Sequence, residues 1–230
     1  MREVLNYVID NRLGSTEVAD GLGKKGVLQL DLQPLIPGTY LAGEVQYMYT
    51  MNESNWPIHE QAENALKGKV VYIDSIDCAD KALFGELVAK FFILYKGVAG
   101  LVVNGRLRDI PHLKKYAFPI FFTGVSPLGV YNRKTKLSSA QEAYVTERMD
   151  LFEGSLIVCD DSGVTLIDKS YNEDDLLNRM IMIEAQEDIW SYCINVLKWS
   201  TYKTICMKDY LNNPEVLPPH FNAIVRKIQF

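Results

Sequence analysis

The chain has 230 residues, a net charge of −5 and 48% hydrophobic residues. That length fits one large domain or a domain with an appendage, and that apolar content excludes a disordered chain. No long basic run is present, which argues against a nucleic-acid partner. The apolar run Phe91-Phe-Ile-Leu-Tyr95 is far too short to span a bilayer, so no membrane partner is expected either.

In chain order, Val4, Leu5, Val8 and Ile9 have helical spacing and predict a helix over Glu3 to Asn11. Ser15 is placed to N-cap a short helix through Asp20, with Glu17 in its first turn. Glycine-rich Gly21-Leu-Gly-Lys-Lys-Gly26 is a loop; no helix follows it, so it is not read as a phosphate cradle. Gly43 to Met51 alternates as a strand does, His59 to Leu66 reads as a short helix, and Val70 to Ile73 is a buried strand ending at Asp74. Ala79 to Lys96 is a helix, or a loop that becomes one, with Leu87, Phe91 and Leu94 on one apolar face.

Gly85 is costly inside a helix, by about 1 kcal/mol relative to alanine. It suits a helix start where a ligand meets free backbone N–H groups, or simply a close-packing position. Phe118 to Phe122 predicts a strand, Tyr144 to Met149 alternates like another, and Gly154 to Cys159 is a third. Asp160-Asp-Ser-Gly163 is a hairpin turn into Val164 to Ile167, without the spacing of a calcium loop. A helix follows Asn172 to about Lys198. The tail after Asn212, with Pro214, Pro218 and Pro219, reads as irregular.

The most informative segment is Gly97-Val-Ala-Gly-Leu-Val-Val-Asn-Gly-Arg-Leu-Arg108-Asp109. Its apolar, glycine-bounded run predicts a buried strand that ends at a cleft-forming sheet edge. Arg108 offers a planar fork to a carboxylate. Asp109 offers a hard oxygen to a divalent cation. A metal and an arginine in one cleft suit a 2-oxo acid. Asp109 also has a plainer reading, as the N-cap of a helix over Ile110 to Lys115, and Arg108 as a solvated residue.

Other chemistry is sparse. His59, His112 and His220 are too dispersed for a zinc site. No Walker loop or Gly-x-Ser-x-Gly elbow is present. Cys78, Cys159, Cys193 and Cys206 form no Cys-x-x-Cys pair and read as reduced thiols of a cytoplasmic protein. The N-terminus lacks the apolar core of a signal peptide.

Ala82-Leu-Phe-Gly-Glu-Leu-Val-Ala89, Gly97-Val-Ala-Gly100 and Asn104-Gly-Arg-Leu-Arg-Asp109 together resemble the family of the regulator of ribonuclease E activity A and the 4-hydroxy-4-methyl-2-oxoglutarate aldolases. Weaker echoes are Glu17-Val-Ala-Asp20, Gly68 to Asp74 and Gly154 to Val164, so the likeness runs over roughly residues 15–170.

The resemblance implies an α/β swivelling β/β/α domain, expected over residues 1–185, with a C-terminal helical extension and irregular tail over 186–230. It implies a homotrimer with sites near subunit boundaries. It also implies a metal-dependent (class II) lyase that cleaves a 4-hydroxy-2-oxo acid to pyruvate. Oxaloacetate decarboxylation is a companion activity, both reactions passing through a metal-stabilised pyruvate enolate. A sugar-derived oxo acid is an alternative substrate, and a non-catalytic regulator that binds an endoribonuclease is an alternative function.

Carried over by motif, Gly85, Glu86, Leu87 and Val88 present backbone N–H groups to the substrate. Arg108 holds its carboxylate or keto oxygen, and Asp109 binds Mg²⁺ or Mn²⁺ with the help of waters. Glu86 either orients a metal-bound water as a proton acceptor or is a solvated first-turn residue. Three departures stand out. The helix between Glu86 and Gly97 is one residue longer than the family pattern, Ser155 stands where an aspartate often follows glycine, and the segment from about Trp190 onward is longer. Trp190, Tyr192, Trp199 and Tyr202 in that segment are expected either to anchor an interface or to pack within their own subunit.

Overall fold

A computed structural model gives the structure of the protein and describes residues 1–228. Its centre is an eight-stranded sheet ordered β1 (Gln33–Pro34), β6 (Ile120–Val125), β5 (Gly100–Leu107), β3 (Val70–Ile76), β2 (Leu41–Met51), β7 (Leu156–Asp160), β8 (Gly163–Ile167), with β4 (Ala82–Phe84) added against the end of β5. The neighbours β2, β3, β5 and β6 pair in parallel, and the β7–β8 hairpin pairs antiparallel to β2. A parallel strand covered on both faces needs an unbroken apolar run. Val70 to Ile73 and Leu101 to Val103 supply it, and all seven side chains are completely buried.

The strand period of two divides those residues between two cores. Val71, Ile73, Leu101 and Val103 face a layer made by α3 (Trp56–Ala62), α4 (Glu86–Lys90) and α5 (Ile110–Lys115), through Ile58, Ala89 and Leu113. Val70, Tyr72 and Val102 face the other way. There the sheet curls until Ile157, Cys159, Val164 and Leu166 of the hairpin lie over Phe121 and Tyr72, a nearly closed, barrel-like arrangement. The helix α6 (Ser139–Phe152) plugs this second core with Val145 and Phe152. Outside the hairpin, Val4 and Val8 of α1 (Arg2–Asp10), Val18 of α2 (Ser15–Gly21) and Leu176 and Met180 of α7 (Glu173–Asn195) pack on Leu156, Val158 and Ile167. This is the swivelling β/β/α architecture expected from the sequence.

The second core contains a buried ionic network. Asp74 is fully buried, and its carboxylate accepts Arg148 Nε at 2.7 Å, the Asn104 amide at 2.9 Å and the Tyr47 hydroxyl at 3.1 Å. Arg148 also donates to the Tyr72 hydroxyl at 2.9 Å and lies 4.4 Å over the Phe152 ring.

Four local expectations need correction. Tyr144 to Met149 is not a strand but the middle of α6. Ser138 and Gln141 cap that helix reciprocally, and Val145, Arg148 and Phe152 turn the same face inward. Ala79 to Lys96 is the second of its two readings, a non-helical stretch that becomes a helix, but that stretch carries the short strand Ala82–Phe84 rather than only loop. The N-cap of α2 is Gly14 rather than Ser15. The capping oxygens come from the hairpin, where Asp160 accepts the Ser15 backbone N–H and hydroxyl, each at 2.7 Å.

The tail after Asn212 is also more regular than expected, with α8 at Pro219–Ile228. Proline breaks a helix interior but is suited to its first turn. The division expected at residue 185 falls inside α7, which runs unbroken through it. Beyond it, Ile189, Cys193, Tyr210, Leu217, Phe221 and Val225 form a separate small core. Trp190, Tyr192 and Trp199 pack against that core, while Tyr202 is exposed. All four cysteines are free thiols, and Cys78, Cys159 and Cys193 are buried.

Candidate active site

The strand β5 is where the site is built. Its register with β6 shifts between Val103 and Arg106, a bulge of the kind that re-aims the residues after it. Arg108 and Asp109 follow at the C-terminal end of the strand, the end at which clefts form in parallel sheets. They open onto a cleft of about 310 Å³ whose apolar wall is Ile110, Pro111, Val125 and Pro127.

Asp109 does stand at the N-cap position of α5, but its side chain does not cap. Its backbone is left-handed (φ 59°, ψ 29°) and its carboxylate makes no capping hydrogen bond. An ordinary cap has extended backbone, which aims the side chain at its own helix. The left-handed turn aims this one elsewhere. Its carbonyl still accepts the N–H groups of His112 and Leu113, at 2.9 and 3.1 Å. The carboxylate instead reaches back to the start of α4, where the Glu86 N–H donates to Oδ2 across a long 3.4 Å. Arg108 Nε lies 3.8 Å from the same oxygen, and both side chains are about half exposed. The Arg108 backbone N–H donates to the Phe84 carbonyl at 3.1 Å, which ties this end of β5 to the strand leading into α4.

Gly85 is the N-cap of α4, the helix start expected for it. A Cβ there would stand 2.0 Å from Asp109 Oδ2, so only glycine leaves room for the carboxylate. The N–H groups of Leu87 and Val88, in the first turn of α4, lack partners four residues back. The segment before Gly97 is not α-helical throughout. After Lys90 the helix widens into a π-helix over Phe91–Lys96. Gly85 and Asp109 meet at the start of this helix.

Glu86 is turned along its own helix and pairs with Lys90 Nζ at 2.6 Å. That bond holds its carboxyl below the usual range and, with a smaller effect of Tyr116, pushes the Lys90 ammonium up to about 12. Lys90 also lies 4.4 Å over the Tyr116 ring. Among the described residues, no three His, Cys, Asp or Glu side chains gather as a metal site. His59 lines an apolar groove beside Leu87 and Phe91, and His112 lies in the last turn of α5.

The structure thus brings together Gly85, the Glu86 backbone, Arg108 and Asp109, and directs the Glu86 side chain to Lys90. Sequence reasoning missed the stretch after β6, where Gly129 lies under the Arg108 guanidinium. No local pattern marks it.

Comparison with known proteins identifies the family. The RraA-like family model, described as Aldolase/RraA, matches residues 15–166, well over half of the chain. A protein of Halalkalibacterium halodurans provisionally named 4-hydroxy-4-methyl-2-oxoglutarate aldolase is 28% identical over 160 residues, covering 70% of this chain and 75% of its own. An uncharacterized protein of Pseudomonas syringae pv. tomato superposes with a TM-score of 0.63 at 20% identity, over 85% of this chain and 93% of its own. Streptomyces coelicolor RraAS2, described as an unusual member of the RNase ES inhibitor RraA protein family, superposes with a TM-score of 0.61 at 21% identity, over 81% of this chain and 94% of its own. The chain belongs to the RraA-like family.

Proposed function

We propose that the protein is a lyase that cleaves a 4-hydroxy-2-oxo acid to pyruvate with the help of a divalent cation, and that it also decarboxylates oxaloacetate. The observation that carries this reading is the Asp109 carboxylate. It sits at a helix cap yet is withheld from capping, half exposed beside Arg108 in a cleft.

In such a cleavage the C4 hydroxyl gives up its proton and the C3–C4 bond breaks. Its electron pair leaves the pyruvate half as an enolate, which is then protonated at C3. Arg108 supplies fixed positive charge where negative charge grows. The N–H groups of Leu87 and Val88 offer further donors to a substrate oxygen.

The donor set fits a hard, weakly held cation that keeps most of its waters, such as Mg²⁺ or Mn²⁺, because Asp109 brings to the cleft a half-exposed carboxylate with oxygen valence to spare. It does not fit zinc, which takes several nitrogen or sulfur ligands. When bound, the cation would polarise the keto group as a Lewis acid. Glu86, held by Lys90, is assigned to the α4 surface rather than to proton transfer.

Leu87, Leu94 and Tyr95 are 79%, 54% and 77% exposed along α4 and its π-helical continuation, the helix whose first N–H meets Asp109. This supports a homo-oligomer, most simply a trimer, with the cleft near a subunit boundary. Light scattering on the active species is expected to give about three times the 26.1 kDa chain mass; a monomer with full activity would defeat that part of the reading.

The deciding experiment is pyruvate release from a panel of 4-hydroxy-2-oxo acids and from oxaloacetate, with Mg²⁺, with Mn²⁺ and with chelator. No metal-dependent release from any of them would favour the second reading, a non-catalytic regulator of an endoribonuclease. That reading draws its support from the likeness to Streptomyces coelicolor RraAS2, a member of an RNase ES inhibitor family.

A further inference from the structure

Among the described residues no side-chain hydrogen bond is given for Arg108; its ion-pair partner is Asp109 Oδ2 at 3.8 Å. The guanidinium does lie against a surface. The stretch after β6 passes under it, and a Cβ built on Gly129 would stand 2.4 Å from Arg108 Nη1 and 3.2 Å from Cζ. The next nearest atom, the Ala82 carbonyl oxygen, is at 3.8 Å, an ordinary contact. The missing side chain at 129 therefore makes room for the Arg108 head and for little else. Gly129 is not among the glycines with positive φ, so its backbone conformation is open to any residue.

Nor can this stretch step aside. The Ala82 N–H donates to the Leu128 carbonyl at 2.8 Å and the Val130 N–H donates to the Ala82 carbonyl at 3.0 Å, one on each side of Gly129. Two residues on, the Tyr131 N–H donates to the Glu53 carbonyl at 2.8 Å and the Tyr131 carbonyl accepts the Asn55 N–H at 3.0 Å. With the backbone clamped, any methyl group at 129 must move the guanidinium.

We propose that Gly129 is a positioning residue for the reaction. Its bare backbone is the floor on which Arg108 rests, and it sets the height at which the guanidinium meets an anionic substrate. The inference rests on the reading of Arg108 as the anion-holding group.

The test is a cycle of Gly129→Ala, Arg108→Ala and the double variant, titrated with oxalate in the presence of Mn²⁺. Binding of Mn²⁺ alone is followed by electron paramagnetic resonance. Gly129→Ala is expected to fold and melt like the parent and to bind Mn²⁺ alone equally well. Its oxalate affinity should fall about tenfold or more, the worth of one charge-assisted hydrogen bond. In the Arg108→Ala background the same change should cost nothing further. Gly129→Ser carries the same Cβ and serves as a second variant should the alanine protein fold poorly.

Unchanged oxalate affinity in Gly129→Ala, or an equal loss in both backgrounds, would overturn the proposal. If Arg108→Ala itself binds oxalate like the parent, the functional reading of Arg108 falls instead. Gly129 is then judged by a crystal structure of Gly129→Ala. A guanidinium displaced by about 1 Å or more, enough to restore van der Waals contact, upholds the floor; an unmoved one removes it.

Discussion

Arg148–Asp74 and Arg108–Asp109 are the same two residue types, and their aspartates are placed by neighbouring parallel strands, Asp74 near the C-terminal end of β3 and Asp109 just beyond that of β5. They are built in opposite ways. Asp74 is completely buried, and its two oxygens take bonds from an arginine, an amide and a phenol. Asp109 is about half exposed and holds one long N–H contact. A buried carboxylate must have its lone pairs filled by protein, because no water will fill them. A carboxylate left with open lone pairs at a cleft has them available for a ligand. The difference separates a structural pair from a chemical one more sharply than residue identity does.

The comparison breaks most completely at Asp109. Asp109→Asn keeps the shape of the side chain but loses the charge that would hold a cation. It is expected to abolish metal-dependent pyruvate release while leaving the melting curve unchanged. A variant with parental activity and metal response would make Asp109 a structural residue like Asp74.

The reverse holds for Arg148→Ala. Removing one partner of a buried pair strands the other charge, at a cost of about 3–5 kcal/mol. Chemical denaturation should show that loss, and activity of the fraction still folded should persist. A stability change within about 0.5 kcal/mol, as at an ordinary surface site, would mean the network contributes nothing.

Arg108→Lys keeps charge but not the fork. One or two lost charge-assisted hydrogen bonds, at about 1.5–3 kcal/mol each, should lower kcat/KM by ten- to a hundredfold or more. Unchanged kcat/KM would remove Arg108 from the substrate site.

The smallest expected effect is alkaline. Burial, reinforced by the negative charge of Asp74, raises the phenols of Tyr47 and Tyr72 above their ordinary 10.0. In the unfolded chain they ionise first, so the stability they contribute is intact below pH 10 and is lost as pH rises above it. Denaturation midpoints at pH 9 and pH 11 should differ, and Tyr47→Phe should narrow the gap. An identical gap in that variant would detach Tyr47 from the effect.

These contrasts were unevenly legible in the sequence. Arg108–Asp109 could be read because the strand, the pair and the following helix are adjacent in the chain. Arg148–Asp74 could not, because its partners are 74 residues apart and meet only once α6 docks. The alternation of Tyr144 to Met149 hid that docking. The better signal was the three- and four-residue spacing of Val145, Arg148 and Phe152 behind a Ser138–Gln141 capping box. Gly85 announced itself as a glycine awkward within a helix. Gly129 lies in a stretch rich in turn residues, where one more glycine carries no message. The π-helix over Phe91–Lys96 was not legible either, because an apolar run such as Phe91 to Tyr95 reads alike in α- and π-geometry.

The pairing of β2 has a consequence for the newborn chain. Its parallel partner β3 follows within a few dozen residues, but Leu41 to Glu44 must wait for Leu156 to Cys159 on the other side. At ribosomal speeds of about 5–20 residues per second, that edge stays unpaired for roughly 5–20 s after β2 is made. During that interval a strand carrying Leu41, Val45, Tyr47 and Met51 on one face is open to any passing strand. Synthesis is therefore the stage at which this fold is most exposed to aggregation, and the β7–β8 hairpin, made late and locally, is what ends it.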